Sequence, residues 1–123
     1  ARNFPFRKQQ SDLDIELDDH TADEDYLAAW QTGVTCALDL ADADLAIYLA
    51  GADPYIGDRL GRLSVSKAGL MARDQFVMQT CQVRGIPVAV VMAGGYAKSI
   101  ADIVDIHYKT IEIAAESGLT YLV

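Results

Sequence analysis

A single carboxylate, that of Asp53, stands directly behind an apolar run at residues 45–50. A run of that length and composition predicts a buried strand, so we expect Asp53 at the strand's carboxyl end. In open α/β sheets this end is where ligands and metal ions bind. Asp53 is followed by Pro54, and Asp-Pro is also ordinary turn chemistry. Position alone therefore leaves two alternatives open, a metal ligand or acid–base group and a simple turn residue.

A second apolar run, at residues 88–92, leads into Gly94, Gly95 and Tyr96. Glycines let the backbone approach a ligand closely. A tyrosine phenol stays protonated at neutral pH and can donate a hydrogen bond to a developing oxyanion. One alternative is a plain turn in which Tyr96 packs as an aromatic. Another is a phosphate cradle formed by the glycines at the start of the next helix.

Composition and charge argue against several classes of protein. The net charge of −8 disfavours nucleic acid as a direct partner, because affinity for a phosphate backbone is built on clustered Lys and Arg. The longest apolar stretch, at residues 86–93, is too short to span a membrane, and because no basic region followed by an apolar one is visible at the start of the sequence, we expect no secretory signal there. Cys36 and Cys81 form no C-x-x-C pair, so we expect both to be reduced and buried. These features predict a cytoplasmic location.

Other residues form no convincing catalytic or metal-binding set. His107 falls within the apolar stripe of a predicted helix, which favours a hydrogen-bonded core histidine over a ligand, and His20 lies in an acidic loop. Acidic and apolar residues alternate over 12–18, which predicts a short extended segment. Its acids do not make an EF-hand calcium loop, because Leu17 stands where that loop needs glycine.

The elements that would position Asp53 and Tyr96 follow from periodicity and end signals. We predict helices over 22–40, 66–84 and 99–118, strands over 45–50 and 88–92, and a last short strand over 119–123. Thr21 is the expected N-cap of the first helix and Ser66 that of the second. The stripe of the third helix expected to face the core is Ile100, Ile103, Val104, His107, Ile111, Ala114 and Ala115.

This order of elements predicts a single α/β unit over residues 1–123. Strand, helix, strand, helix with short links is typical of βαβ units and a parallel sheet. Both predicted strands are almost continuously apolar, so we expect helices to cover both faces of the sheet.

Taken together, these segments resemble the C-terminal portion of the zinc-dependent histone deacetylase family, in the arginase–deacetylase superfamily. The resemblance is carried by NFPFRK at 3–8, DEDYL at 23–27, GAD and GDRLG within 51–61, and GGY at 94–96. It is nearest to the class IV type and to bacterial histone deacetylase-like relatives, and it runs nearly from end to end. It implies part of the three-layer arginase/deacetylase fold.

The resemblance also implies roles for five residues. Asp53 would match one of two aspartates that, with one histidine, hold the catalytic zinc. Tyr96 would match the tyrosine that hydrogen-bonds the substrate carbonyl and its oxyanion. Leu60, Gly94 and Gly95 would shape the narrow channel that admits an acylated lysine. The implied reaction is hydrolysis of an N-acyl amide, an acylated lysine or a small amide, with Zn²⁺ as the cofactor of the complete domain.

Other parts of the family's site have no counterpart in this sequence. The tandem catalytic histidines are missing, and so are the second aspartate and the histidine that complete the zinc site. We therefore expect the chain to be inactive by itself. Two alternatives to the deacylase hypothesis stay open, a small-ligand or phosphate-binding α/β module and a non-catalytic remnant. The surface left by the missing N-terminal part is expected to favour a homo-oligomer.

Overall fold

The computed structural model describes residues 7–119, which form three helices and two strands. In chain order they are α1 (Asp23–Ala41), β1 (Ala46–Ala50), α2 (Lys67–Val83), β2 (Val88–Met92) and α3 (Ile100–Leu119). Each of these elements was predicted to within one residue at either end. The strand predicted over 119–123 lies outside the described residues except for Leu119, which ends α3. Residues 3–6 of the NFPFRK segment also lie outside them.

The two strands pair in parallel, with Ala46 opposite Val88 and Ala50 opposite Met92. A parallel pair needs a crossover connection, and α2 provides it between β1 and β2. Within residues 7–119 the sheet contains these two strands. The predicted α/β class and the βαβ unit are therefore confirmed.

All three helices contribute to a core on one face of the sheet. Tyr48 and Ala50 of β1 are buried in a cluster with Val77, Met78 and Cys81 of α2 and Ile113 of α3, against which Trp30, Val34 and Leu38 of α1 pack. The alternate residues Ile47 and Leu49 are 64% and 62% exposed, because side chains alternate across a strand. We had expected helices to cover both faces of the sheet, and this expectation is wrong within residues 7–119, where the three helices pack on one face. The part of the chain that the structure describes has two layers, not three.

Side-chain contacts at the helix starts confirm one predicted cap and correct the other. The Ser66 hydroxyl caps α2, accepting a hydrogen bond from a backbone N–H in the first turn at 3.0 Å. The predicted Thr21 cap of α1 is wrong, because Ala22 is the N-cap and the Thr21 hydroxyl donates to the Asp18 carbonyl oxygen. Asp23 instead accepts hydrogen bonds from the backbone N–H and the hydroxyl of Ser66, at 2.7 and 2.5 Å. This carboxylate links the starts of α1 and α2.

The face of α3 that is buried differs from the predicted one. The buried residues are Ile106, Thr110 and Ile113. Four residues that we expected to face the core are exposed, namely Ile100, Val104, Ile111 and Ala115. The helix carries two apolar stripes, and the buried one includes Thr110 because its hydroxyl donates a hydrogen bond to the buried carboxylate of Asp74.

Candidate functional site

The carboxyl ends of β1 and β2 lie side by side, because the two strands are parallel and in register. Just beyond them, the Ala52 N–H donates a hydrogen bond to the Gly94 carbonyl oxygen at 2.7 Å. This bond joins the residue before Asp53 to the segment that carries Tyr96. The structure therefore brings together the two segments that the sequence singled out.

The Asp53 side chain is exposed beyond the end of β1. One of its carboxylate oxygens lies so close to Gly51 that a β-carbon at position 51 would overlap it. On the backbone side, a β-carbon at Gly61 would overlap the Asp53 carbonyl oxygen. Within residues 7–119 the carboxylate accepts no hydrogen bond, so its oxygens are available to a ligand.

Asp58 ties the two segments together, and the sequence reasoning missed it. One of its carboxylate oxygens accepts hydrogen bonds from the N–H groups of Leu60 and Gly61 at 2.8 and 2.7 Å. The other oxygen accepts from the Tyr96 N–H at 2.5 Å. The available signal was local, since an Asp that precedes a tight, glycine-containing turn commonly accepts hydrogen bonds from the backbone that follows it. The second contact of Asp58, to Tyr96, could not be predicted from the residues around Asp58, because Tyr96 lies 38 residues later in the chain.

Arg59, the next residue of the loop, holds the same segment through the Tyr96 carbonyl group. Its backbone N–H and its Nε both donate to the Tyr96 carbonyl oxygen at 3.1 Å. The Lys98 N–H donates to the Gly57 carbonyl oxygen at 3.3 Å, and Asp58 forms an antiparallel bridge with the segment. The backbone of Tyr96 is therefore fixed through both its N–H and its carbonyl group.

The residues predicted to line the channel differ in their surroundings: Leu60 has an exposed side chain, as Tyr96 has, whereas Gly95 packs against Ala52. The side chains of Tyr96 and Leu60 are 54% and 59% exposed. A β-carbon at Gly95 would lie 3.0 Å from that of Ala52, whereas one at Gly94 would meet nothing within 4 Å. The need for a small residue at position 95 is thus explained by packing. Because α3 begins only at residue 100, the glycines do not open that helix, which weakens the phosphate-cradle alternative.

Asp53 offers an oxygen ligand suited to a divalent metal ion such as zinc. Hydrolytic zinc sites combine three protein ligands, drawn from His, Asp, Glu and Cys, with one open position. Among residues 7–119, no three side chains of these types are grouped so that they could hold a metal ion. The described residues fit one ligand of such a site, and the other ligands would have to come from elsewhere.

The other titratable candidates add no catalytic group to this site. The Nδ1 atom of His107 is buried and has no hydrogen-bond partner among the described residues, so the expectation of a hydrogen-bonded core histidine is not met at that atom. Cys36 and Cys81 are free thiols, as expected, although Cys36 is only half-buried. Burial, opposed by Arg84, raises the pKa of the Cys81 thiol. Within residues 7–119, no helix has the length and apolar character needed to cross a membrane.

Comparison with known proteins places the chain in a family. A model of the histone deacetylase domain matches residues 5–111. An uncharacterised protein of the cyanobacterium Picosynechococcus sp. is 44% identical over 105 residues, which cover 85% of this chain and 35% of that protein. Histone deacetylase 2 of Arabidopsis thaliana is 32% identical over 117 residues, which cover 94% of this chain and 30% of that protein. The chain thus spans about a third of the length of these relatives. Since the family model covers most of the sequence, the chain belongs to the histone deacetylase family.

Proposed function

We propose that this chain forms part of the active site of a zinc-dependent deacylase, one that hydrolyses N-acyl amides of the acetyl-lysine kind. Family membership supports the hydrolase class. The observation that carries the proposal is the joining of the two loops at the strand ends. The hydrogen bond from Ala52 to Gly94 and the three accepted by Asp58 hold Asp53 and Tyr96 at the same end of the sheet. Both side chains are exposed there, so both can face a substrate.

Each predicted residue has a distinct role in this proposal. Asp53 is one zinc ligand, and polypeptide outside this chain contributes the remaining ligands and the catalytic histidines. Zinc, when bound, supplies a Lewis acid that polarises the amide carbonyl. The Tyr96 phenol donates a hydrogen bond to the carbonyl oxygen as negative charge develops on it. Leu60, Gly94 and Gly95 form part of the wall around the acylated side chain.

The assigned roles can be tested in the protein encoded by the full reading frame that contains this segment. Tyr96→Phe should lower kcat on an acetyl-lysine peptide by about 10²–10³-fold, because one preorganised donor to the oxyanion is lost. The zinc content should stay unchanged. Tyr108→Phe is the matched control, since Tyr108 is a similarly exposed tyrosine (60%) on α3, and it should leave kcat unchanged.

Asp53→Ala in the same protein should remove both bound zinc and activity, because a ligand of the metal is lost. Zinc content measured by elemental analysis tests this role separately from kcat. Full zinc occupancy in Asp53→Ala, or wild-type kcat in Tyr96→Phe, would contradict the respective assignment.

We propose further that the 123-residue chain is inactive when purified alone. One carboxylate does not hold zinc tightly, and the family's catalytic histidines are missing from the sequence. The measurement is hydrolysis of an acetyl-lysine peptide in the presence of added Zn²⁺. Hydrolysis that a chelator abolishes would overturn this expectation.

The uncovered face of the sheet supports a separate proposal, that the isolated chain self-associates. Ile47, Leu49 and Val91 expose apolar side chains there, 64%, 62% and 45% of their surface, whereas Tyr48 on the other face is buried. Parallel sheets are ordinarily covered on both faces, and a second copy of the chain can supply that cover. Charge on this face should therefore disrupt the assembly.

Analytical ultracentrifugation of the isolated chain is the measurement. The wild-type chain should sediment as an oligomer, and Leu49→Lys should reduce it to a single chain. Val83→Lys is the control, because Val83 is an apolar residue on α2 that is 88% exposed and does not belong to the sheet face. A wild-type chain that is monomeric at every concentration would refute self-association.

A further inference from the structure

A buried ion pair lies next to the Asp53 loop, and none of the roles proposed above uses it. Arg73 and Asp74 are adjacent residues of α2 and are only 2% and 1% exposed. Taking a guanidinium and a carboxylate out of water is unfavourable, and apolar residues of similar volume are often at least as stabilising. The depth of this pair therefore needs an explanation beyond stability.

The Arg73 side chain reaches from α2 to the end of β1. Its Nε donates to Asp74 Oδ1 at 2.8 Å, and its Nη1 donates to the Gly51 carbonyl oxygen at 2.7 Å. Its Nη2 lies 2.8 Å from the same Asp74 oxygen but is aligned for no hydrogen bond among the described residues, so it contributes charge only. The rings of Trp30 and Tyr48 have their centroids 6.0 and 5.7 Å from the guanidinium carbon. Arg73 is thus enclosed, with Gly51 as its backbone partner.

Asp74 is in turn held by two hydroxyl groups from different elements. The Tyr48 phenol of β1 donates to Oδ1, and the Thr110 hydroxyl of α3 donates to Oδ2 at 2.6 Å. Burial raises the pKa of Tyr48, with Arg73 opposing this shift and Asp74 reinforcing it, so the phenol remains a proton donor. The carboxylate therefore fixes Arg73 relative to both the sheet and α3.

Two hydrogen bonds, one on each side, hold a single peptide group at the start of the Asp53 loop. The Gly51 carbonyl accepts from Arg73, and the Ala52 N–H donates to the Gly94 carbonyl oxygen, each at 2.7 Å. These two groups belong to the same peptide unit, the one between Gly51 and Ala52, which lies one peptide unit before Asp53. Its plane is fixed from α2 on one side and from the Tyr96 segment on the other.

We propose that Arg73, oriented by Asp74, is a positioning residue that sets the direction in which the Asp53 carboxylate leaves the sheet. The purpose of this positioning rests on the proposed role of Asp53 as a metal ligand, but the positioning itself does not. Without Arg73, the buried Gly51 carbonyl oxygen lacks its side-chain donor, and the peptide unit can reorient.

Amide hydrogen exchange, measured by NMR on the full 123-residue chain, tests the positioning directly. The double variant Arg73→Met/Asp74→Leu removes both charges and leaves neither unpaired. We expect the Ala52 N–H to exchange about tenfold faster or more relative to amides in the middle of α2, as for loss of one charge-assisted hydrogen bond. Wild-type protection of Ala52 in this variant would overturn the proposal.

Thr110→Val is the matched control because it removes a buried hydrogen bond to the same Asp74 without touching Gly51. It should lower the melting temperature but leave the protection of Ala52, relative to α2, unchanged. An equal loss of Ala52 protection in both variants would indicate general destabilisation and overturn the positioning role.

A measurement on the wild-type chain covers the case in which the double variant does not fold. Scalar coupling across the hydrogen bond should connect the Arg73 Nη1 nitrogen to the Gly51 carbonyl carbon. Free rotation of the guanidinium, with no such coupling, would refute the proposal.

In the protein encoded by the full reading frame, the double variant should weaken zinc binding by about 10–100-fold, as is typical when a group that orients a ligand is lost. Zinc retained in Asp53→Ala would refute the proposed function and leave the exchange result standing.

Discussion

Replacing Asp58 should detach the Tyr96 segment from the GDRLG loop. Asp58→Ala removes the acceptor of three backbone N–H groups, at 2.8 and 2.7 Å within the loop and at 2.5 Å to Tyr96. Hydrogen bonds to a charged group contribute about 1.5–3 kcal/mol each. Because Asp58 is only half-buried, water replaces part of this loss. We expect the free energy of unfolding to fall by about 2–4 kcal/mol, which is large for a single substitution.

Asp58→Asn separates the two contacts of this carboxylate. Its amide oxygen can still accept from Leu60 and Gly61, but its NH₂ group would face the Tyr96 N–H, which is also a donor. We expect a smaller loss of about 1–2 kcal/mol, caused by one unsatisfied contact. Faster hydrogen exchange should be confined to the Tyr96 amide and its neighbours.

Urea unfolding, followed by the fluorescence of Trp30, the sole tryptophan, measures both losses. With a slope of about 1–3 kcal/mol per M, a loss of about 2 kcal/mol shifts the midpoint by about 0.7–2 M. All variants must be compared at one protein concentration, because self-association changes apparent stability. Asp53→Ala is the control, since that carboxylate is exposed and should contribute less than about 0.5 kcal/mol. Equal midpoints for Asp58→Ala and Asp53→Ala would refute the reasoning.

Three further predictions concern packing, pH and metal. Gly61→Ala should lower the free energy of unfolding by about 1–3 kcal/mol, because its β-carbon would overlap the Asp53 carbonyl oxygen, whereas Gly94→Ala has open space and should change the urea midpoint little. The hydrogen bond from Lys67 lowers the pKa of Asp105 below its ordinary 3.8, so its stabilising contribution is present above that value and is lost as the pH falls through the lowered pKa. The difference in melting temperature between wild type and Lys67→Met should therefore disappear in acid, and a difference that persists there would contradict this account. Zinc added to the isolated chain should leave its urea midpoint unchanged, and a rise that Asp53→Ala removes would show that the chain completes a metal site.

Much of the fold and the core of the candidate site could be predicted from the sequence. Periodicity and end signals are local properties, so the three helices and the strands β1 and β2 were predicted to within one residue at either end. A parallel βαβ unit places successive strand ends together, so Asp53 and Tyr96 were expected at a shared end of the sheet. The predicted resemblance to the histone deacetylase family, which rested on short motifs, is confirmed by the family match.

One error arose from a local contact and the others from contacts between residues far apart in the chain. Thr21 has the right type of side chain for a cap, but its hydroxyl donates instead to the Asp18 carbonyl oxygen three residues earlier, and Ala22 is the N-cap. The strands are apolar enough to be covered on both faces, yet the three helices pack into the core of one face within residues 7–119. Local patterns cannot tell which of several adequate partners the rest of the chain will supply.

The sequence by itself determined where the elements lie, which two segments meet and which family the chain resembles. These features follow from periodicity and motifs, which are properties of short stretches of consecutive residues. Only the tertiary structure decided which groups hold those segments in place. Asp58 reaches Tyr96 across 38 residues, and Arg73 reaches back 22 residues to Gly51. On α3, the buried stripe is the one whose Thr110 can donate to Asp74. The reason is that a buried carboxylate or guanidinium must find partners, and its partners become neighbours only when the chain has folded.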